Sequence, residues 1–199
     1  MNNYEYIIAS LPVISSGGKV PDGFNAGKII DEIKSQCSAK DCGTIDCLLK
    51  GFSDDNLDKD FYVNMLQHPD EFISEYFRLD LNMRNQKVRF VNEKLGRPAD
   101  MDIIDLDGGL FENSSKFQGI LENPDILARE RGIDDFLWEE ISGMTIFDYF
   151  NMKVILAFIA KLHIIDRWLQ LDEDKGREMF RKLVEEVRGT FKGVEFEES

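Results

Sequence analysis

One segment constrains this chain more than any other: Thr145 to Gln170, which reads TIFDYFNMKVILAFIAKLHIIDRWLQ. It has the length of a long helix and is apolar on nearly every side. A helix without a polar face has to be covered by other elements. The pattern therefore predicts a buried central helix over 145–170. Thr145 is its expected N-cap, and Asp148 completes a capping box. Such a chain is built around packing, and the segment carries almost no reactive chemistry.

The other segments supply helices to pack on it. Residues 25–37 read as a helix capped by Asn25, with Ile29, Ile30 and Ile33 on one face. Weaker helical patterns cover 43–52 and 57–66. From Asp70 to Leu95 a long helix runs through Phe72, Ile73, Tyr76, Phe77, Leu81, Val88 and Val91. Gly96 is its natural end, and Pro98 stops it. Helical patterns return at 117–131 and 133–141, and a last one, capped by Asp172, covers 173–188 with Met179, Phe180, Leu183, Val184 and Val187 as its stripe. The opening run Tyr4, Tyr6, Ile7, Ile8 and Leu11 fits a short β element or a helical turn. There is no strand–helix alternation and no fixed-period repeat. The expected class is all-α, a bundle of long helices around the central one. The chain reads as a single helical domain over 1–199, or as two lobes, 1–98 and 116–192, joined by an acidic loop at 99–115.

Charge narrows the partners. There are 24 Lys and Arg against 38 Asp and Glu, a net of −14. Such a chain repels phosphate backbones and anionic lipid, so nucleic acid and direct membrane binding are disfavoured and basic protein faces are favoured. The run Val154–Ala160 is bracketed by Lys153 and Lys161, well short of the roughly 20 apolar residues of a membrane span. The N-terminus has no cationic start and carries Glu5 before its short apolar run. A cytoplasmic location is expected, with any membrane association made through a partner.

The motifs that carry chemistry fail one by one. Gly23 to Lys28 has too few residues between its glycines for a phosphate loop, and Ile29 stands where a magnesium-binding hydroxyl belongs. Gly18-Lys19 lacks the upstream glycine, because position 13 is Val. Cys37, Cys42 and Cys47 recur every five residues without a fourth ligand nearby, and read as small apolar residues. The loop residues Asp100, Asp102, Asp105, Asp107 and Glu112 cluster oxygens that suit a hard cation. Aligning Gly108 or Gly109 with the EF-hand glycine puts Ile103 or Ile104 at the first ligand position, which neither can fill. Asp105 and Asp107 remain the only metal candidates, in what otherwise reads as a solvated acidic loop. His163 has Asp166 three residues on and Arg167 four on, the neighbours of a general base, yet no nucleophile lies near it in sequence. It reads as a hydrogen-bonded core residue, and His68 as part of a helix start. The adjacent pairs Asp134-Asp135 and Glu139-Glu140 face different sides of a helix, not each other. No catalytic residue and no cofactor is expected.

Three stretches carry a family resemblance: YEYIIASLP at 4–12, YFRLDLNMRNQKVRFVNEKLGR at 76–97, and DYFNMKVILAFIAKLHIIDRWLQLDEDKGREMFRKLVEE at 148–186. Within the second, Asp80, Asn85 and Gly96 are similar to a pattern of stalk-subunit repeats. In the third a long helix ends in Arg167-Trp168 and Leu171-Asp172, and a glycine-bearing helix follows. Together they resemble a bacterial family encoded with V/A-type ATPase subunits, itself similar to the central-stalk subunit called C in A-type and d in V-type enzymes. Those stalk subunits are built from three similar helical units, of which about two would fit here. The resemblance implies a non-catalytic subunit that seats the central shaft on the membrane rotor ring, with those ATPase subunits as partners. Arg167 and Trp168 are its candidate partner-binding residues, because Arg and Trp are enriched at binding hot spots. The alternatives are a helical adaptor with an unrelated partner, or a metal-dependent module using the acidic loop or the cysteines.

Overall fold

A computed structural model describes residues 3–17, 20, 23–106 and 111–170. Eight α-helices run through them: α1 (Tyr4–Ser10), α2 (Ala26–Gln36), α3 (Ala39–Lys50), α4 (Lys59–Leu66), α5 (Glu71–Lys94), α6 (Ser114–Leu121), α7 (Ile126–Met144) and α8 (Met152–Gln170). A 3-10 turn, Asp54–Asn56, precedes α4. No strand occurs among the described residues, so the class is all-α. No described helix is long and apolar enough to cross a membrane.

The central helix is α8. Every position from Ile155 to Ala160 is buried, and Leu162, Ile164 and Ile165 extend the buried surface. Six consecutive buried positions leave no polar face, so α8 is covered all round by α1, α2, α3, α5 and α7. Its start corrects the expected one. Thr145 ends α7: its hydroxyl donates to the carbonyls of Ile141 and Ser142. The helix begins after Asn151, whose Oδ1 accepts from the Val154 N–H at 3.3 Å. Asn is a better N-cap than Thr, and the later cap wins. The residues between helices are therefore not core. Ile146, Phe147, Tyr149 and Phe150 are 65, 88, 71 and 58% exposed.

The structure decides one element that the sequence leaves open between a strand and a helical turn, and moves two other boundaries. The N-terminal run is a helix and not a strand, because Tyr4, Ile7, Ile8 and Leu11 share one helical face that seats the fully buried Ile7 against the main core. The helix expected at 43–52 begins at Ala39, where Ser38 and Asp41 form a reciprocal capping box. The expected helices at 117–131 and 133–141 are broken elsewhere. Pro124 disfavours the helical conformation for Asn123. Asp125 then caps α7 by accepting from the Ala128 N–H at 3.0 Å. Nothing breaks at Gly132. It lies inside α7, and an added Cβ would stand 2.9 Å from Ile120 Cγ2 of α6. The helix expected at 173–188 lies outside the described residues.

The long α5 starts and stops where its sequence signals stand. Asp70 accepts from the Ile73 N–H at its N-terminus. Gly96, at φ 64°, forms a Schellman turn in which the Arg97 N–H reaches the Asn92 carbonyl at 2.8 Å. One part of α5, with Phe72, Tyr76 and Phe77, joins the core around α8. Leu79 and Met83 join a second cluster with Phe117, Leu121, Ile133 and Phe136. The core around α8 draws on helices from both sides of the acidic loop. That loop is fastened to α5 by two asparagines: Asn85 bonds both the N–H and the carbonyl of Ile104, and Asn92 donates to Ala99 and Met101.

Candidate functional site

Where α3 ends against α5, α7 and α8, a cavity of about 240 Å³ opens. Helical spacing on α5 lines up Tyr76, Asp80, Arg84 and Lys87 along one wall. From α8 come His163 and Arg167, four residues apart, and from α7 comes Asp134. Phe52, just after α3, forms a floor on which the His163 ring lies flat, with centroids 4.1 Å apart and planes at 3°.

Three carboxylates, Asp54, Asp80 and Asp134, organise the charges. Asp80 Oδ2 accepts from the Tyr62 hydroxyl and from Arg84 Nε at 2.9 Å, and the same guanidinium reaches Asp54 at 3.0 Å. The buried Asp134 accepts from Arg167 Nη2 and from Trp168 Nε1. Arg84 and Arg167 are thus each matched, and each keeps about 40% of its side chain open to solvent (41 and 42%). Lys87 differs from both. It lines the cavity but makes no hydrogen bond or ion pair with any described residue. Burial pushes its amine below the usual lysine range, and Arg84 and Arg167 add to the shift against the pull of Glu130 and Asp80. Burial also lowers the His163 pKa, with Arg167 adding to it, so the ring is a neutral imidazole at pH 7. The cavity therefore presents three cations, Arg84, Lys87 and Arg167, three carboxylates, Asp54, Asp80 and Asp134, and a neutral imidazole, with apolar side chains between them.

Arg167 and Trp168 are brought together, on Asp134. Trp168 packs against the main core, with the Arg131 guanidinium over its ring at 5.3 Å. Asp105 is exposed, Asp107 lies outside the described residues, and no metal-holding group of His, Cys, Asp or Glu occurs among the described residues. All three cysteines are free thiols of intermediate burial. The Cys42 thiol donates to the Lys34 carbonyl, and burial pushes the Cys37 thiol up to about 11. At the start of α5, His68 Nδ1 accepts from the Asp70 N–H. Glu139 and Glu140 bond separate partners, Lys116 and Asn113.

Arg84, Lys87 and Asp134 were missed as site residues. Two signals were available. Asp80, Arg84 and Lys87 put three charges at helical spacing on a helix otherwise read for its apolar face. Asp134 was read only as half of an acidic pair, whereas its neighbour Asp135 is the one that faces outward to Arg131 at 3.6 Å.

A second feature stands at the other end of α8, the exposed turn Ile146–Phe150. It is held by Lys153, which pairs with Glu71 of α5 at 2.7 Å and lies 4.0 Å from Asp148.

Residues 104–190 are similar to a family described as a protein of unknown function (DUF2764). The match spans α6, α7, α8 and the aromatic turn, and runs on past the described residues. No curated protein and no solved structure matches the chain.

Proposed function

We propose that this chain is a non-catalytic subunit of a V/A-type rotary ion-translocating ATPase, an accessory or central-stalk part that couples the shaft to the membrane rotor ring. The observation that carries the reading is the exposed turn between α7 and α8. Four large apolar side chains, Ile146, Phe147, Tyr149 and Phe150, stand more than half exposed within five residues. A contiguous apolar patch on an acidic, charge-rich surface marks a contact for another protein. It also lies within or beside the stretch, 148–186, that carries the resemblance to stalk subunits.

The mechanics support the same reading. The turn is continuous with α8, and α8 is gripped by five other helices. A load applied at the turn passes into the whole core and not into a hinge. The net charge of −14 suits basic partner faces. The location proposed is the inner face of the membrane, reached through the complex.

The test is affinity capture of the tagged chain from gently solubilised membranes of its host, with mass spectrometry of what comes along. Rotor-ring and shaft subunits are expected with the native chain and are lost with the double variant F147D/F150D. Recovery of the chain alone, with the ATPase intact elsewhere, overturns the reading. Capture of an unrelated protein that depends on the same two residues establishes the adaptor alternative instead.

A further inference from the structure

Beside the aromatic turn, where α5, α7 and residues 111–113 meet, a groove of about 390 Å³ opens. Met144, the last residue of α7 and two before Ile146, lies in its wall. Leu79 and Phe111 supply the rest of its apolar lining, and its described charges are lopsided, with Glu75, Glu112 and Glu140 against Arg78. Lys153 ties the turn to the same rim through its pair with Glu71, one helical turn before Glu75 on α5. That ammonium is shared, because Glu75 and Asp148 act on it as well as Glu71. Over groove and turn together, Glu71, Glu75, Glu112, Glu140 and Asp148 stand against Arg78 and Lys153, an excess of three negative charges among these described residues. Lys116 does not redress the excess, being paired with Glu139.

We propose that groove and turn form one docking surface for a basic amphipathic segment of a partner protein, whose apolar side chains cover Ile146, Phe147, Tyr149 and Phe150 while a lysine or arginine enters the groove. The inference rests on the reading of the turn as a docking surface, and not on which complex the partner belongs to. A long cationic side chain has an apolar stem and a charged head, and the groove matches both parts. The stem packs on Leu79, Phe111 and Met144, and the head reaches the carboxylates. Glu140 is held in place there by the Asn113 side-chain amide, which donates to it at 2.6 Å. Glu112 is exposed, and its side chain makes no hydrogen bond or ion pair with a described residue.

The same charges argue against other occupants. A second copy of this chain brings its own net charge of −14, and a two-fold contact sets the acidic rim against itself. An anionic lipid surface is repelled for the same reason. Complementary charge selects the partner and speeds its arrival, while buried apolar contacts hold it. Binding therefore weakens as salt rises, and neutralising the groove carboxylates costs affinity without disturbing the fold.

The experiment is fluorescence anisotropy of a labelled synthetic peptide titrated with the full chain. The probe is an amphipathic helix of about five turns with leucine on one face and arginine on the other, and its control carries glutamate in place of arginine. Saturable binding of the arginine peptide is expected, weaker at high salt, with none for the control. Phe147→Ser/Phe150→Ser leaves the charge unchanged, and Glu75→Gln/Glu112→Gln/Glu140→Gln leaves the apolar contacts unchanged; each weakens binding by about tenfold or more. Should the triple variant fail to fold, Glu112→Lys alone, at an exposed position, has the same force. Asp31→Asn/Glu32→Gln, exposed on α2 and outside the groove, changes affinity by less than about twofold. No saturable binding of the arginine peptide, equal binding of both peptides, or an α2 pair that matters as much as the groove carboxylates each overturns the proposal. So does self-association of the native chain, or its binding to anionic vesicles, that depends on Phe147 and Phe150. Capture of ATPase subunits by a chain that ignores the arginine peptide removes this inference and leaves the ATPase reading, and peptide binding without those subunits does the reverse.

Discussion

Gly51 is the position where one added carbon should cost most. It follows α3 as its C-cap with φ −74° and ψ −6°, a conformation any residue adopts, so the backbone raises no objection to alanine. Space does. A Cβ at Gly51 would lie 2.1 Å from Phe77 Cε1, 2.3 Å from Cζ of the same ring and 3.2 Å from Phe61 Cζ. Carbon atoms rest at about 3.5–4.0 Å, so the ring must retreat by more than an ångström. It has nowhere to go. Phe77 is 0% exposed and meets Phe61 and Tyr76 edge-on, each with ring centroids 5.1 Å away. Overpacking of this kind costs about 3 kcal/mol, which for a chain of this length lowers Tm by roughly 6–12 °C.

Urea unfolding of Gly51→Ala reads the cost. Gly43→Ala provides the internal control. It lies in the same helix with nothing within 4 Å of its added Cβ, so it gains helix propensity alone, up to about 1 kcal/mol. A second check relieves the clash from the other side. Phe77→Leu shortens the ring and is itself destabilising, but Gly51→Ala/Phe77→Leu should cost less than the sum of the two by about 1 kcal/mol or more. Gly51→Ala within about 0.5 kcal/mol of native, or strict additivity in the double variant, would refute the packing argument.

Two further outcomes follow from the cavity. His163 has a folded pKa below its ordinary 6.5 because burial, then Arg167, disfavour the imidazolium against the pull of Asp166, Asp134 and Asp54; its contribution to stability is therefore full above pH 6.5 and is lost as pH falls through the depressed folded value. The Tm difference between the native chain and His163→Phe, which keeps a ring on Phe52, should shift against the native chain from pH 7.5 to 5.0, and a constant difference contradicts the assignment. Asp134→Asn takes the charge from under Arg167 and Trp168 and should cost about 1–2 kcal/mol, with a red shift of Trp168 emission in a Trp138→Phe background; unchanged emission and stability would mean that the two donors do not depend on that carboxylate.

The parts of the fold that could be read from sequence are those where a local signal and the tertiary outcome agree. Asn25 and Asp70 cap helices because the caps are followed by apolar stripes that find a core, and Gly96 ends α5 because it alone accepts φ 64° without strain. The parts that failed are contests between two legitimate signals. Thr145 and Asn151 both can cap, and Pro124 and Gly132 both can break. In each case the winner depends on a neighbour outside the local window. Gly132 lies inside α7 at a place where α6 brings Ile120 so close that an added Cβ would stand 2.9 Å from it. The cavity was illegible for a related reason. Its charges come from α5, α7, α8 and the 3-10 turn before α4, with partners such as Arg167 and Asp134 standing 33 positions apart, and no spacing rule reaches that far.

The turn at 146–150 shows what that failure is worth. Its residues continue the apolar composition of α8, and composition alone assigns them to the core. The structure exposes them because Asn151 starts the helix six residues later than Thr145 would have. A sequence can keep apolar side chains outside a helix cheaply only if something else covers them in the working state. Isolated exposed apolar residues need no such account, but four within five positions, at 58–88% exposure, do. The same misfit between local pattern and observed burial is what a functional surface produces. Replacing Phe147 and Phe150 with aspartate should accordingly leave the fold intact, since neither side chain is part of the buried core. A fold that collapses on that replacement would show the turn to be structural and would remove the main support for a docking role.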